Sequence, residues 1–134
     1  MNLSKRLEAV ASLVSSKHTL ADIGTDHGYV PIYLIETGRI PHAIAMDINR
    51  GPLKKAKENI CAHHLEKDIE TRLSDGLSSL LPGEADTVLI AGMGGSLMSR
   101  IITDGKAVLE TVSELVLQPQ SEIGTFRHFL HENG

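Results

Sequence analysis

The order in which apolar patterns change along the chain predicts a doubly wound α/β fold built on a mostly parallel sheet. Five short apolar runs, TLADIG, HAIAMD, IETRLSD, ADTVLIAG and SELVLQP, are each followed by a turn or stretch of helical apolar spacing, which is the order of repeated βαβ units. ADTVLIAG is apolar at consecutive positions, as a strand covered by helices on both faces requires. Right-handed crossovers and a reversal after the third strand predict the spatial order 3-2-1-4-5.

Each element has its own signal. Leu3, Leu7, Val10 and Val14 recur at helical steps, so the chain opens on an amphipathic helix with Lys5, Arg6 and Glu8 outside. The first strand, TLADIG, leads into a helix through Ile32 to Glu36, and the second, HAIAMD, into a longer helix from about Gly51 to His64. IETRLSD is the third strand and LSSL a brief helical turn. ADTVLIAG is bounded by Pro82-Gly83 and Gly92. Leu97, Ile101, Val108 and Val112 predict one helix over residues 96–112. SELVLQP is the fifth strand, and a last helix begins near Ser121 and carries Ile123, Phe126 and Leu130. No repeat, low-complexity tract or linker interrupts the 134 residues, so the chain reads as a single domain, and 41% apolar content suffices for a core.

Composition narrows the function classes. Two Tyr, two Phe and no Trp supply few base-stacking platforms, and a net charge of −4 does not suit a domain whose affinity comes mainly from neutralising phosphates. Cys61 has no internal disulfide partner and no zinc constellation is visible, so no metal is expected. The N-terminal segment is too charged for a signal peptide and has no membrane-spanning run, which makes the cytoplasm the expected compartment.

In sheets of this class ligands sit beyond the carboxyl ends of the strands. The first strand runs into Asp22-Ile23-Gly24-Thr25-Asp26-His27-Gly28. Gly24 and Gly28 permit a tight turn and close backbone approach, but the G-x-G-x-x-G spacing that seats a pyrophosphate is absent. Asp22 and Asp26 suit an ammonium or hydroxyl better than a phosphate. The second strand ends in Asp47, placed to accept from both hydroxyls of a ribose, with Ile48 beside it. After the third come Asp75, an acceptor for an exocyclic amine, and Gly76, which admits a ring near the backbone. Each of these also has a plainer reading as a helix cap or turn. Together the three acidic strand ends describe a site for an amino group, a ribose and an adenine without phosphate, which is the outline of S-adenosylmethionine.

The runs ADIGTDHGYVPIYL, AMDIN, SDGL, VLIAGMGGSLM and LVLQPQ resemble, in order and over essentially the whole chain, the bacterial family of tRNA adenine-N1 methyltransferases that act on position 22. The resemblance implies a Rossmann-like catalytic domain that uses S-adenosylmethionine and takes tRNA as substrate. Family members are longer, so the chain is expected to be a C-terminally truncated catalytic domain lacking the last strands and a helical hairpin. The tRNA-binding portion would then be absent, and the fifth strand would be an edge through which copies associate.

The expected cofactor residues are Asp22, Gly24, Thr25, His27, Gly28, Asp47, Ile48, Asp75, Gly76, Gly92 and Met93. The fourth strand ends without the Asn or Asp that grips an exocyclic nitrogen in many amino-group methyltransferases. A ring nitrogen such as adenine N1 has an in-plane lone pair and needs alignment more than deprotonation. Gly94 and Gly95 are expected to leave a backbone-lined slot for a flat base, with Met93 as an apolar wall and Tyr29 at the edge. Methylation at N1 makes the base cationic, so Asp26 is the expected catalytic residue, stabilising that charge; binding the cofactor's amino group is its other role. His27 is a donor, a general base or a structural loop residue. Lys5, Arg6, Lys17, Lys54, Lys55 and Lys57 touch phosphates or are solvated helix faces. The rivals are a nicotinamide-dependent oxidoreductase, which Asp47 fits equally well, and a non-catalytic cofactor-binding or RNA-binding module.

Overall fold

The structure, a computed structural model, describes residues 3–133. Its elements are α1 (Lys5–Ser12), β1 (Thr19–Ile23), α2 (Tyr29–Glu36), β2 (His42–Asp47), α3 (Arg50–Ala62), β3 (Ile69–Leu73), β4 (Thr87–Gly94), α4 (Gly95–Asp104), α5 (Lys106–Leu109), β5 (Glu114–Ser121) and α6 (Ile123–Asn133). The five strands form one parallel sheet in the order β3-β2-β1-β4-β5, as the sequence predicts. The reversal falls between β1 and β4, so the carboxyl ends of these strands open a crevice.

Although the central strands are buried on both sides, their side chains still alternate between two layers. Leu20, Ala43, Ala45 and Leu89 pack with Leu7 and Val10 of α1, Ile32 and Leu34 of α2 and Ile60 of α3. Ala21, Ile23, Ile44, Met46, Val88 and Ile90 pack on the other side with Met98, Ile101 and Phe126. Asp22, one position from Ala21 and two from Leu20, therefore projects into the layer of α1 and α2. The first helix is fixed by its cap, the Ser4 hydroxyl accepting from the Leu7 amide at 3.2 Å, and by Leu7, Val10 and Ala11 beneath it. Arg72 pins the loop after β3, pairing with Glu70 and Glu84 and donating to the Ser79 carbonyl oxygen at 2.8 Å.

Two helix expectations are corrected. The single helix over 96–112 is two helices broken at Gly105, the residue of this stretch with the weakest helical preference, and Leu77 packs against it: a Cβ there would lie 2.8 Å from the Leu77 Cβ and 3.1 Å from the Ile101 carbonyl oxygen. Val108 and Val112 still reach the second layer, but Leu97 is 40% exposed and Met98 takes the buried place. In α6 the inward residues are Phe126 and Phe129, whose rings stack at 6.2 Å, whereas Ile123 and Leu130 are exposed. The fourth strand also runs two residues beyond its expected end at Gly92. Its register against β5 is irregular around Met93, a bulge that re-aims side chains at the end of the sheet.

Identical substitutions should therefore act in opposite senses at two glycines. Gly105→Ala should lower stability by roughly 1–3 kcal/mol through overpacking against Leu77. Gly51→Ala, in α3 with nothing within 4 Å of the added atom, should raise it by about 0.4–1 kcal/mol. Urea unfolding of the two variants checks both signs.

Candidate functional site

The loop after β1 is tied down at its first step. The amides of Gly24 and Thr25 both donate to the Met46 carbonyl oxygen at 2.9 Å, folding the loop across the end of β2. Gly24 has φ +72, and a Cβ there would run into the Met93 methyl, so glycine is required both by the backbone and by the side chain reaching over from β4. Gly24 stands in the walls of two hollows, and Met93, whose methyl reaches it, walls the second.

The first hollow, about 180 Å³, lies beside β1 and is walled by Asp22, Asp26, Arg6, Gly92 and Gln120. Asp22 is 5% exposed and accepts from the Thr25 hydroxyl at 2.8 Å. Burial pushes its carboxyl up to about 7; the Thr25 bond opposes the rise, and the charges of Asp26 and Asp47 add to it. Asp26 stands at the exposed rim, its carboxylate 2.7 Å from His27 Nδ1. Gly92, at φ +73, is exposed, and a Cβ there would meet Gln120 Oε1 at 3.8 Å and Arg6 Nη1 at 4.0 Å, ordinary contacts without a clash.

The second hollow, about 350 Å³, runs past Asp47, Ile48, Asp75 and Gly76, with Met93 and Leu97 as apolar walls. Asp47 is half-buried; one carboxylate oxygen accepts from the Asn49 amide at 2.8 Å, and its backbone carbonyl accepts from the Ser74 amide at 2.9 Å, holding the ends of β2 and β3 together. Ser74 shapes the next turn by donating to the Gly76 carbonyl oxygen and accepting from the Ser79 amide. Asp75 is exposed, with the Arg100 guanidinium 3.7 Å away. Behind this pair a further hollow of about 290 Å³ continues toward Gly105.

Of the residues singled out from sequence, Asp22, Gly24, Asp26 and Gly92 wall the first hollow, and Gly24, Asp47, Ile48, Asp75, Gly76 and Met93 wall the second. The others lie outside these two walls. Thr25 is buried with its hydroxyl committed to Asp22. Gly28, at φ +73, begins α2 against Ala56. His27 stacks on Tyr29 with ring centroids 5.0 Å apart, and its carbonyl accepts from Asn59 at 2.8 Å, so this pair edges α2 and wall neither hollow. The slot expected at Gly94 and Gly95 is filled: a Cβ at Gly94 would meet the Glu122 carboxylate at 2.8 Å, and one at Gly95 would meet Phe126 at 2.9 Å. These two glycines let α6 approach α4, and the open backbone is at Gly92. Sequence reasoning missed Arg6, Gln120, Leu97 and Arg100 as wall residues. Gln120 was within reach of the strand-end rule, since it follows the core of β5; Arg6 lies on a helix outside the βα repeat and gives no local sign.

The whole described segment fits one family model, that of a methyltransferase domain, matched over residues 3–134. The chain belongs to the methyltransferase-domain family. This methyltransferase domain is 39% identical over 132 residues to the tRNA (adenine(22)-N(1))-methyltransferase of Bacillus subtilis, covering 98% of the chain and 56% of that protein. A Streptococcus pneumoniae protein solved in complex with S-adenosyl-L-methionine superposes with a TM-score of 0.95 at 42% identity, over 99% of the chain and 63% of the other. The TrmK protein of M. capricolum, solved with S-adenosyl-homocysteine, matches at a TM-score of 0.71 and 39% identity, over 76% of the chain and 46% of the other. The methyltransferase domain thus spans little more than half the length of the curated B. subtilis relative. Among its described residues no helix is long and apolar enough to cross a membrane.

The raised Asp22 carboxyl has a thermodynamic signature. Its ordinary value is 3.8 and its folded value about 7, so the folded chain holds this proton more tightly than the unfolded one. The stabilisation is complete below the ordinary value and is lost as pH rises through about 7. Asp22→Asn keeps an acceptor for Thr25 and cannot ionise. Between about pH 5 and pH 8 the wild type should lose melting temperature relative to this variant; parallel curves would show that Asp22 titrates normally.

Proposed function

We propose that this chain binds S-adenosylmethionine across the two hollows that meet at Gly24 and transfers its methyl group to N1 of an adenine in tRNA, position 22 by likeness to the B. subtilis relative. The observation that carries the reading is the division of labour between the hollows. One collects the carboxylates of Asp22 and Asp26, which suit the ammonium of an amino acid. The other offers Asp47 to ribose hydroxyls and Asp75 to an adenine amine, between the apolar walls of Ile48, Met93 and Leu97. Relatives of the same fold hold S-adenosyl-L-methionine or its homocysteine product. A nicotinamide dinucleotide would need a pyrophosphate seat at the first loop, where Asp22 and Asp26 set two carboxylates instead.

When bound, the cofactor supplies an electrophilic methyl group. The chain's own part is alignment and charge. The exposed backbone at Gly92 is the place offered to a flat base at the end of β4, and adenine N1, with its lone pair in the ring plane, needs no base to deprotonate it. The product ring is cationic, and the Asp26 carboxylate at the rim of the same hollow stabilises that charge as it develops. An adenine within folded RNA must be unpaired or flipped to reach this slot. The energy for that comes from contacts elsewhere on the tRNA, which a segment of net charge −4 supplies sparingly and which the additional length of the relatives would provide. A tRNA substrate places the protein in the cytoplasm.

Asp47→Ala should weaken S-adenosylmethionine binding by roughly 1–3 kcal/mol in isothermal titration, the range for hydrogen bonds to a charged group; unchanged affinity removes Asp47 from the site. In a chain extended to the length of the B. subtilis relative, Asp26→Asn should slow single-turnover methylation of tRNA at saturating cofactor. A variant that binds cofactor poorly yet transfers at the normal rate once saturated would make Asp26 a binding residue only.

A further inference from the structure

We propose that the exposed side of α3, together with the stacked pair His27 and Tyr29 beside it, binds the RNA strand next to the methylated adenine, with cations on phosphates and the His27 imidazole on the face of a base. This rests on the tRNA reading and adds to it the surface that meets the strand. α3 carries Arg50, Lys54, Lys55 and Lys57 against one carboxylate, that of Glu58. Four of the chain's 13 Lys and Arg residues thus fall within 13 positions, so a total charge of −4 conceals a local cationic face. All four are exposed, and none enters an ion pair among the described residues. Arginines elsewhere in the fold are committed: Arg39 donates to the carbonyl oxygens of Val14 and Ser12, Arg72 pairs with Glu70 and Glu84, and Arg100 stands beside Asp75. Cations left unpaired on one side of a helix are free to neutralise phosphates.

The helix is tied to the loop that borders the first hollow. Gly28 packs on it, where a Cβ would lie 3.5 Å from that of Ala56, and the Asn59 side-chain amide donates to the His27 carbonyl oxygen at 2.8 Å. Lys55, adjacent to Ala56, therefore borders the loop, and Arg50, Lys54 and Lys57 follow one another at helical steps on the outer side. His27 holds a left-handed φ of +56, a conformation histidine adopts more readily than most side chains. Its ring lies on that of Tyr29 with an interplanar angle of 12°, and its side chain is nonetheless 44% exposed. An imidazole braced by a tyrosine and open to solvent is a platform for a flat ring. Asp26, bonded to His27 at 2.7 Å, walls the hollow beside β1, so the platform stands at the edge of the space proposed for the adenine.

Fluorescence anisotropy of a fluorescein-labelled, unmodified tRNA transcript, titrated at several salt concentrations, separates this face from a merely charged surface. Each of Lys54→Gln, Lys55→Gln and Lys57→Gln should lower the slope of log affinity against log salt by about 1. Lys17→Gln, ahead of β1 at the other end of the sheet, should leave the slope as in wild type. His27→Ala should weaken binding roughly 5- to 100-fold at an unchanged slope, the range for loss of one stacked base, and His27→Phe, which keeps a flat ring, should recover most of it. S-adenosylhomocysteine affinity should stay within about two-fold of wild type in the lysine variants, as an intact domain requires. Wild-type slopes in all three lysine variants, or an equal loss in Lys17→Gln, overturn the proposal. So does equal weakening by His27→Ala and His27→Phe, which would make the histidine a brace of the loop. A wild-type chain that binds S-adenosylhomocysteine and not tRNA removes the tRNA reading and this face with it, whereas tRNA binding that ignores the α3 variants removes the face alone.

Discussion

Two amide hydrogens on one carbonyl oxygen organise the site. By donating together to the Met46 oxygen, Gly24 and Thr25 bend the chain over the end of β2 immediately after β1. Without that bend the carboxylates of Asp22 and Asp47 would belong to separate strand ends. With it, they face hollows that share a wall at Gly24. The bend also sets the Thr25 hydroxyl against Asp22, which makes burial of that carboxyl tolerable and opposes part of the rise that burial imposes on it.

Most of the fold was legible because it follows from local pattern. Strand ends could be read where apolar runs stop at Asp or Gly, and the sheet order follows from chirality and the point of reversal. The same rule located Asp47 and Asp75, since residues after parallel strands gather at one end of the sheet. What failed was set by contacts distant in sequence. Leu77 packs on the break at Gly105, the inward face of α6 carries two stacked phenylalanines, and the space beside Gly94 and Gly95 is filled by Glu122 and Phe126. Arg6 looks like any solvated helix residue until α1 is docked over β4 and β5.

The glycines after β4 illustrate how one motif can mix purposes. In GMGG the first glycine adopts a left-handed conformation at a bulge and leaves open backbone, whereas the next two remove Cβ atoms from a helix junction. A motif of this kind reads as one functional loop, although only its first two residues wall the hollows and the last two permit two helices to approach. The methionine between them belongs to both purposes, since its backbone sits in the bulge and its thioether closes over Gly24.

The junction between β5 and α6 has a mechanical consequence. Glu122, at φ +54, places its carboxylate at the start of α4, accepting from the Ser96 hydroxyl at 2.6 Å and lying 3.4 Å from the Ser96 amide, where an anion complements the helix dipole. Gly94, at the cap position, has no side chain to do this itself. A displacement of α6 therefore carries the acceptor away from the first turn of α4 and loosens the peptide that follows Gly92. Tension on the last helix would be felt, through one carboxylate, at the bulge that ends β4.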